Sequence, residues 1–446
     1  MAAENKNNVI AKQTVIANGV KQSANKKEIA SAKKLRNDVR VPKLRFNEFV
    51  DGWSFDKMDN ITSYVDYRGR APEKSNEGVF LVTAKNIKKG YIDYDKSKEY
   101  VPLENYNLVM SKGLPELGDI LFTTEAPLGN IAQVDKQKIA LAQRVIKLRG
   151  KDKIENLYLL HYMLSPIYQK LIHRKAIGTT VQGISGKELR KTKVAFPTLP
   201  EQQKIASFLT SVDTKIQQLT TKKQLLENYK KGVMQQLFSQ QLRFKNDDGL
   251  DFPDWEEKKF GEVFNNIGGT ALEKHFSKSG THKVVSIGNY STEGKYNENG
   301  QRIILNEKTK TKLLDKGDLV MVLNDKTSTG DIIGSTILIP ENNLYIYNQR
   351  SERLICIRSI IYPIYAWFQL NYKEFRNTVF SVSQGGTQIY VNFSEVKKLN
   401  IKIPSLKEQQ KIANYLSAID IKIENVQTQI EKTQAFKKGL LQQMFV

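Results

Sequence analysis

The sequence predicts an α/β (α+β) protein built twice, with two pseudo-twofold-related globular domains separated by an antiparallel coiled coil of two long helices. Three observations lead there. Residues 403–423, "IPSLKEQQKIANYLSAIDIKI", repeat residues 196–216, "FPTLPEQQKIASFLTSVDTKI". An apolar period of about 3.5 residues follows each copy. Strand-like and helix-like segments mix in the stretches that precede them.

The repeat is tested by sliding the chain against itself. A shift of 207 residues aligns 197–238 with 404–445 without a gap, and 19 of those 42 positions are identical, Asp213, Lys215, Lys230, Lys231, Gly232 and Phe238 among them. Chance does not produce that density of matches. Both copies open on the same helix signal, because Thr198-x-x-Glu201 and Ser405-x-x-Glu408 each read as a capping box.

From there the apolar positions alternate three and four apart: Leu209, Val212, Ile216, Leu219, Leu226, Val233 and Leu237 in one copy, and Leu416, Ile419, Ile423, Val426, Ile430, Leu440 and Met444 in the other. This is the seam of a coiled coil. Lys223 and Lys230 break it in the first helix, Thr433 and Lys437 in the second, and such polar breaks fix register. Connectivity sets direction: the first helix leaves one domain and its far end enters the second, where the other helix begins. Packed along their length, the two run antiparallel. From Leu209 to Leu237 the rod spans about 43 Å, a little more than one turn of duplex.

The globular halves echo one another more weakly. "LRF" at 44–46 and 242–244 precedes "DGWSFDK" and "PDWEEKK", "LAQRVIKL" matches "YNQRSERLICI", and "IGTTVQGISGKELRKTKVAFP" aligns with "GGTQIYVNFSEVKKLNIKIP". Strands are expected at "ILFTT", "RVIKLRG", "GDLVMVL" and "STILIP", helices around "YLLHYMLSPIYQKLIH" and "PIYAWFQLNYKEFRNTVF". The resulting division is a basic disordered arm at 1–40, globular domains at 41–196 and 241–403, and helical regions at 197–240 and 404–446.

Composition restricts function. A chain of 446 residues suggests two or three domains, and 69 Lys plus Arg against 47 Asp plus Glu give a formal net charge of +22. Such a field favours a polyanion, nucleic acid first and an anionic membrane surface second. No apolar run approaches the roughly 20 residues that span a bilayer, and "MAAENKNNVIAKQTV" lacks a signal-peptide core. With a single Cys356, no intrachain disulfide framework forms, and the expected compartment is the cytoplasm.

Catalytic constellations are not visible. "GISGKELR" has Val181 and Glu188 where a phosphate-binding loop needs glycine and a hydroxyl. His161, His173, His275 and His282 stand singly, without metal-ligand spacing. "PDWEEKK" superficially resembles a nuclease pattern, but its acids sit too close together, and its repeat partner "DGWSFDK" makes it a start of domain. No Asn/Asp-Pro-Pro-Tyr/Phe segment of an amino-methyltransferase occurs.

Binding chemistry remains. Arg and Lys reach guanine edges or phosphates, and Asn and Gln read adenine. Candidates in the first half are Arg68, Arg70, Lys85, Asn86, Lys88, Lys89, Gln143 and Arg144. In the second half they are Lys274, His275, Asn289, Tyr290, Lys326, Gln349, Arg350, Gln384 and Gln388. Gln143-Arg144 and Gln349-Arg350 recur in both halves, which favours a shared structural or phosphate role.

Two variable halves, each closing with Pro-x-Leu-x-Glu-Gln-Gln-Lys-Ile-Ala and a helix ending "KKGVMQQLF" or "KKGLLQQMF", resemble the specificity subunit of type I restriction–modification systems over about residues 41–446. The resemblance implies a non-catalytic DNA-reading subunit whose two target-recognition domains each read one half of a bipartite site on double-stranded DNA. It implies two modification subunits that bind S-adenosylmethionine and methylate adenine, and restriction subunits that use ATP and Mg²⁺ to translocate and cut, with no cofactor in this chain. It also implies docking of the modification subunits on the helical regions, which gives the exposed "EQQKIA" faces a second use: Glu201, Gln202, Gln203 and Lys204, with Glu408, Gln409, Gln410 and Lys411. A system with a fused nuclease–methyltransferase partner, a self-contained DNA-modifying enzyme and a structural coiled-coil protein are the alternatives. The arm at 1–40 departs from the family's pattern.

Overall fold

A computed structural model describes residues 41–69 and 71–446; the basic arm at 1–40 and Arg70 lie outside the described residues. Two compact units result. One holds the described residues up to Gln218 together with Gln429–Val446, and the other holds Leu219–Thr428.

In the first unit an antiparallel sheet runs in the order Thr62–Asp66, Val145–Gly150, Ile120–Thr123, Ile131–Gln133. Its central strand Ile120–Thr123 is buried on both faces, which explains why "ILF" reads as an unbroken apolar run rather than an alternation. Ile120, Phe122, Ile146 and Leu148 pack with Tyr158, Met163, Tyr168 and Ile172 of the helices Asn156–Leu164 and Pro166–Lys175. The alternate residues Leu121, Ala132 and Val145 join a second core with Leu81, Val82 and Leu141. There Val79–Val82 pairs in parallel with Ala140–Leu141. The stretch expected to be helical around 158–173 is divided at Ser165-Pro166, where proline has no amide to give and the Ser165 hydroxyl accepts from the Tyr168 amide.

The second unit repeats the order with Phe264–Gly268, Ser351–Cys356, Leu319–Val322 and Thr336–Leu338. Again the central strand is shared between two cores, with Leu319 and Met321 in one and Val320 and Val322 in the other. A parallel pair, His282–Val285 with Tyr345–Tyr347, stands where the first unit has its own. Each unit opens with a tryptophan and a strand that pairs antiparallel with the strand leading into its long helix: Ser54–Lys57 with Lys193–Phe196, and Glu256–Lys259 with Asn400–Ile403. Trp53 packs edge-on against Tyr158, and Trp255 against Tyr365.

The long helices are Leu199–Phe238, 40 residues, and Leu406–Gln443, 38 residues. In the first unit Leu209 and Val212 share a core with Leu440, Leu441 and Met444, with Ile216 half-buried beside it. In the second unit Val233 and Leu237 share a core with Leu416, Ile419 and Ile423, with Leu226 half-buried beside it. Leu219, Val426 and Ile430 are buried too. The start of one helix therefore meets the end of the other in each unit, and the pair is antiparallel.

The polar breaks in the seam have partners. Lys437 pairs with Asp213 at 2.5 Å in the first unit, and Lys230 pairs with Asp420 at 2.7 Å in the second. These are one interaction seen twice, since both residues recur at the 207 shift. Lys223 reaches Glu227 on its own helix at 3.6 Å, and the Thr433 hydroxyl donates to the Gln429 carbonyl. Among the described residues no helix is long and apolar enough to cross a membrane.

Candidate nucleic-acid interface

The arginine of the recurring Gln-Arg pair stands at a matching strand end in each unit. In the first, the Thr124 amide donates to the Arg144 carbonyl at 3.1 Å, fixing Arg144 beside the end of Ile120–Thr123. Its Nε pairs with Glu125 Oε1 at 2.9 Å, and the two side chains stay 51% and 41% exposed. In the second, the Leu323 amide donates to the Arg350 carbonyl at 2.9 Å, and Asn324, with its carboxamide assigned the orientation that satisfies both of its ends, accepts from Arg350 Nη1 at 2.5 Å. Arg350 has φ of 71°, a left-handed conformation that a non-glycine residue keeps only where its surroundings impose it.

A hairpin stands beside each arginine. Ile177 and Gly183 exchange both backbone hydrogen bonds, at 2.9 and 3.0 Å, and Gln384 and Tyr390 do the same at 2.7 and 2.9 Å. Gly183 pairs with Glu125 and Tyr390 with Asn324, so each neck is sewn to the residue that holds the arginine. Gly178 and Gly385 both have φ of 107°, and a Cβ would lie 2.3 Å from the Val181 carbonyl oxygen or 2.1 Å from that of Gln388. Only glycine fits that turn. Beyond it Thr179, Thr180, Val181 and Gln182, and Gly386, Thr387 and Gln388, are exposed, and neither tip carries an acid.

Several sequence candidates fall on these two places. Gln143 precedes Arg144, and Arg68 lines a cleft of about 230 Å³ with Glu125, Val181 and Ser185. Despite partial burial, which opposes it, hydrogen bonds from Arg68 hold the Asp66 carboxyl below its ordinary range. In the second unit Gln384 and Gln388 belong to the hairpin, and Lys326 is exposed on a loop that Asp325 fastens by accepting from the Thr327 and Ile332 amides.

Other candidates lie apart. Lys85, Lys88 and Lys89 sit on a separate loop, where Lys88 Nζ donates to the Lys85 carbonyl at 2.7 Å. Lys274 is exposed on the turn Glu273–His275, Gln349 Nε2 donates to Glu273 at 2.6 Å, and His275 Nδ1 lies 3.1 Å from Asn306 Nδ2. Three candidates face inward and are corrected. Asn86, fully buried, accepts from the Thr83 amide and hydroxyl and donates to the Asp93 and Ser97 carbonyls. Asn289, also fully buried, accepts from the Ser286 amide and donates to the Asn297 carbonyl. The Tyr290 hydroxyl is buried against Ser351 Oγ at 2.9 Å. Loop backbone with no ladder partner takes these side chains.

The "EQQK" segments are corrected in the same way. Glu201 accepts from Arg45 Nε and Nη2, both at 2.7 Å, and Glu408 accepts from Arg243 Nε and Nη2 at 3.1 and 2.9 Å. Each carboxylate thus turns from the expected capping box to the guanidinium of its own unit's "LRF", because charge-assisted bidentate bonds are stronger than one neutral amide bond. Gln202 bridges the Glu155 amide and the Lys153 and Pro197 carbonyls. Gln409 does so for the Tyr362 amide and the Ile360 and Pro404 carbonyls. Glu201, Gln202, Glu408 and Gln409 are buried, whereas Gln203, Lys204 and Gln410 are exposed and Lys411 is half-buried. Arg45, Arg243, Glu125 and Asn324 escaped sequence reasoning; the doubled "LRF" was the only signal for the first two.

Reactive groups elsewhere are quiet. Burial pushes the Cys356 thiol up to about 12 and His161 down to about 3. Among the described residues no three His, Cys, Asp or Glu are grouped to hold a metal ion.

Comparison with known proteins agrees with this architecture. The profile of the type I restriction modification DNA specificity domain matches residues 20–228 and again 253–434. The MjaVIII specificity subunit of Methanocaldococcus jannaschii is 24% identical over 413 residues, covering 88% of this chain and 91% of its own. The putative MjaX specificity subunit of that organism is 24% identical over 431 residues, 90% of this chain and 94% of its own. The crystal structure of the type I restriction–modification S subunit from M. genitalium superposes with a TM-score of 0.58 at 16% identity, covering 91% of this chain and 99% of that one. The two-lobed, two-helix fold is thus shared across wide sequence divergence. With a family match over both halves, this chain belongs to the type I restriction–modification specificity subunits, the DNA-recognising, non-catalytic members of their systems.

Proposed function

We propose that this subunit reads a bipartite site on double-stranded DNA, one half with target-recognition domain 41–196 and the other with 241–403. The helical regions 197–240 and 404–446 set the nonspecific spacer. The observation that carries this reading is the duplication itself: one sheet order, with one arginine and one glycine-hinged hairpin at the same strand end, occurs twice in a chain of net charge +22. A basic protein with two copies of a presenting edge suits two half-sites on one polyanion. Arg68 and Arg144 face the first half-site, with Gln143. Lys326, Arg350, Gln384 and Gln388 face the second.

In this reading two modification subunits bind the helical regions and bring S-adenosylmethionine to adenine. Restriction subunits bring ATP and Mg²⁺, and the specificity subunit supplies no cofactor. The exposed Gln203, Lys204 and Gln410 support docking there, as does a cleft of about 590 Å³ bounded by Lys407, Gln410, Lys411 and the loop Asn246–Pro253. Separate and fused nuclease–methyltransferase partners satisfy the reading equally, and its compartment is the cytoplasm.

Single-molecule sequencing of methylated adenine in the host genome, with the gene intact and deleted, tests it. Loss of methylation at one split motif on deletion is the expected result. Unchanged methylation, together with failure of the chain to copurify with a methyltransferase, would overturn it.

A further inference from the structure

We infer that Arg144 and Arg350, with the hairpin threonines Thr180 and Thr387 beside them, form a duplicated grip on the DNA backbone that carries no sequence information. Reading then falls to neighbours that differ between the units. The inference rests on the proposal that both units bind DNA.

The chain contains its own control, because what its diverged halves keep is either a contact that builds the fold, such as Arg45–Glu201 and Arg243–Glu408, or a group left at the presenting edge. The arginines survive that divergence at matching strand ends, each accepting at its carbonyl from the amide across it, at 3.1 and 2.9 Å, although only Arg350 takes a left-handed φ. The residue that steadies the guanidinium does not survive: it is Glu125 in one unit and Asn324 in the other. What is shared is therefore the cation, not the ion pair. A contact built to read a base would be free to change with the target, whereas a phosphate is the same in every sequence.

The hairpins point the same way. Thr180 and Thr387 occupy matching positions two residues after Gly178 and Gly385, on exposed tips without acids. A narrow two-stranded ribbon of this kind fits a groove, and hydroxyls are common phosphate partners. The flanking groups are not shared. Asp66 pairs opposite Ile146 and Gly268 opposite Glu352, so the position of Arg68 holds Thr270 in the second unit; Lys326 follows Asn324-Asp325, where the first unit has Ala126-Pro127. These unshared residues are where the two half-sites are told apart.

The test uses the full chain assembled with its modification subunits, selected against a pool of randomised duplexes and then titrated with salt. Wild type is expected to select a split motif with steep salt dependence. If it selects none, the DNA-reading function itself fails, whatever the arginines do. Given a motif, R144A and R350A are each expected to weaken binding about tenfold on selected and unrelated duplexes alike, leave the motif unchanged, and reduce the log–log salt slope by about one. R144K and R350K are expected to restore most of the affinity, since a phosphate accepts either cation. T180A and T387A weaken binding without altering the slope. A changed base in one half-site that lysine does not rescue would make the arginine a reader and overturn the inference. Unchanged affinity and slope would make it a strut and overturn it equally.

Discussion

The duplicated ion pair in the seam offers the sharpest test of the helical region. In D420N, Lys230 keeps its charge and loses its carboxylate in a site where its side chain is 18% exposed and Asp420 is 21% exposed. Burial already lowers the Lys230 ammonium below the ordinary lysine range in spite of the attraction of Asp420, so little stabilisation is held in reserve. Breaking a buried pair costs about 3–5 kcal/mol, and with about a fifth of each group wetted roughly 2–3 kcal/mol remains. A chain of two units has no single unfolding free energy, so the assay is hydrogen exchange resolved by segment. At about 1.4 kcal/mol per decade, amides in 226–238 and 412–424 are expected to exchange roughly 30 to 150 times faster. D213N is expected to speed exchange less in 205–216 and 436–446, because Asp213 beside Lys437 is 38% exposed and its pair is screened by water. The double variant K230M/D420L, which restores an apolar seam, is expected to be neutral or more protected. Exchange in D420N within about threefold of wild type, or a double variant as damaged as the single, would refute the reasoning.

Three further outcomes follow. His161 is held neutral at about 3, chiefly by burial and secondarily by Lys437, while the unfolded chain binds its proton near 6.5. The unfolded state thus takes up more protons between these values, and stability falls as pH drops, by about 2 kcal/mol at pH 5. H161F, which copies Phe368 at the 207 shift, is expected to remove that acid slope from the first unit's segment-resolved hydrogen exchange, corrected for intrinsic rates, across a pH series. R45A strands the carboxylate of Glu201, 1% exposed, at a cost of about 3 kcal/mol in the first unit, and R45A/E201M recovers most of it. Deleting residues 218–224 and 425–431 removes one heptad from each helix, about 10.5 Å, and is expected to shorten the spacer of the methylated motif by about three base pairs with both half-sequences unchanged. An unchanged spacer would show that the helices are not the ruler.

What was legible in the sequence was whatever the backbone repeats. The seam from Leu209 to Met444 could be read from spacing alone, because a 3.5-residue period keeps one apolar stripe facing a partner helix. Direction followed from connectivity. The polar residues were harder. Asn86 and Asn289 do the same work in their loops, but insertions place them 203 residues apart, and a gapless comparison at 207 passes over them. Glu201 and Glu408 looked like helix caps because a capping box is a local pattern; their true partners, Arg45 and Arg243, are more than 150 residues away in sequence. No local pattern reports a long-range pair. Exposure of a surface arginine is equally invisible from composition, which is why Arg144 and Lys85 looked alike until one was found at a strand end and the other on a separate loop.

The seam pairs also explain why a ruler needs polar residues in it. Leu, Ile and Val would accept a slip of one heptad at little cost, since each apolar residue would meet another. Asp213 and Lys230 are separated by the same interval as Asp420 and Lys437, so in an antiparallel pair both bridges close in one register only. A slip by seven residues opens both at once: one direction sets Asp213, Lys230 and Lys437 opposite Ile430, Ala413 and Ala206, with only Asp420 gaining a cation in Lys223, and the other gives none of the four an opposite charge. Two modest interactions, placed by duplication at matched distances, thereby fix a length that a continuous apolar stripe would leave free. If the helices set one spacer, as proposed above, that fixed length matters more than the extra stability of an all-apolar seam.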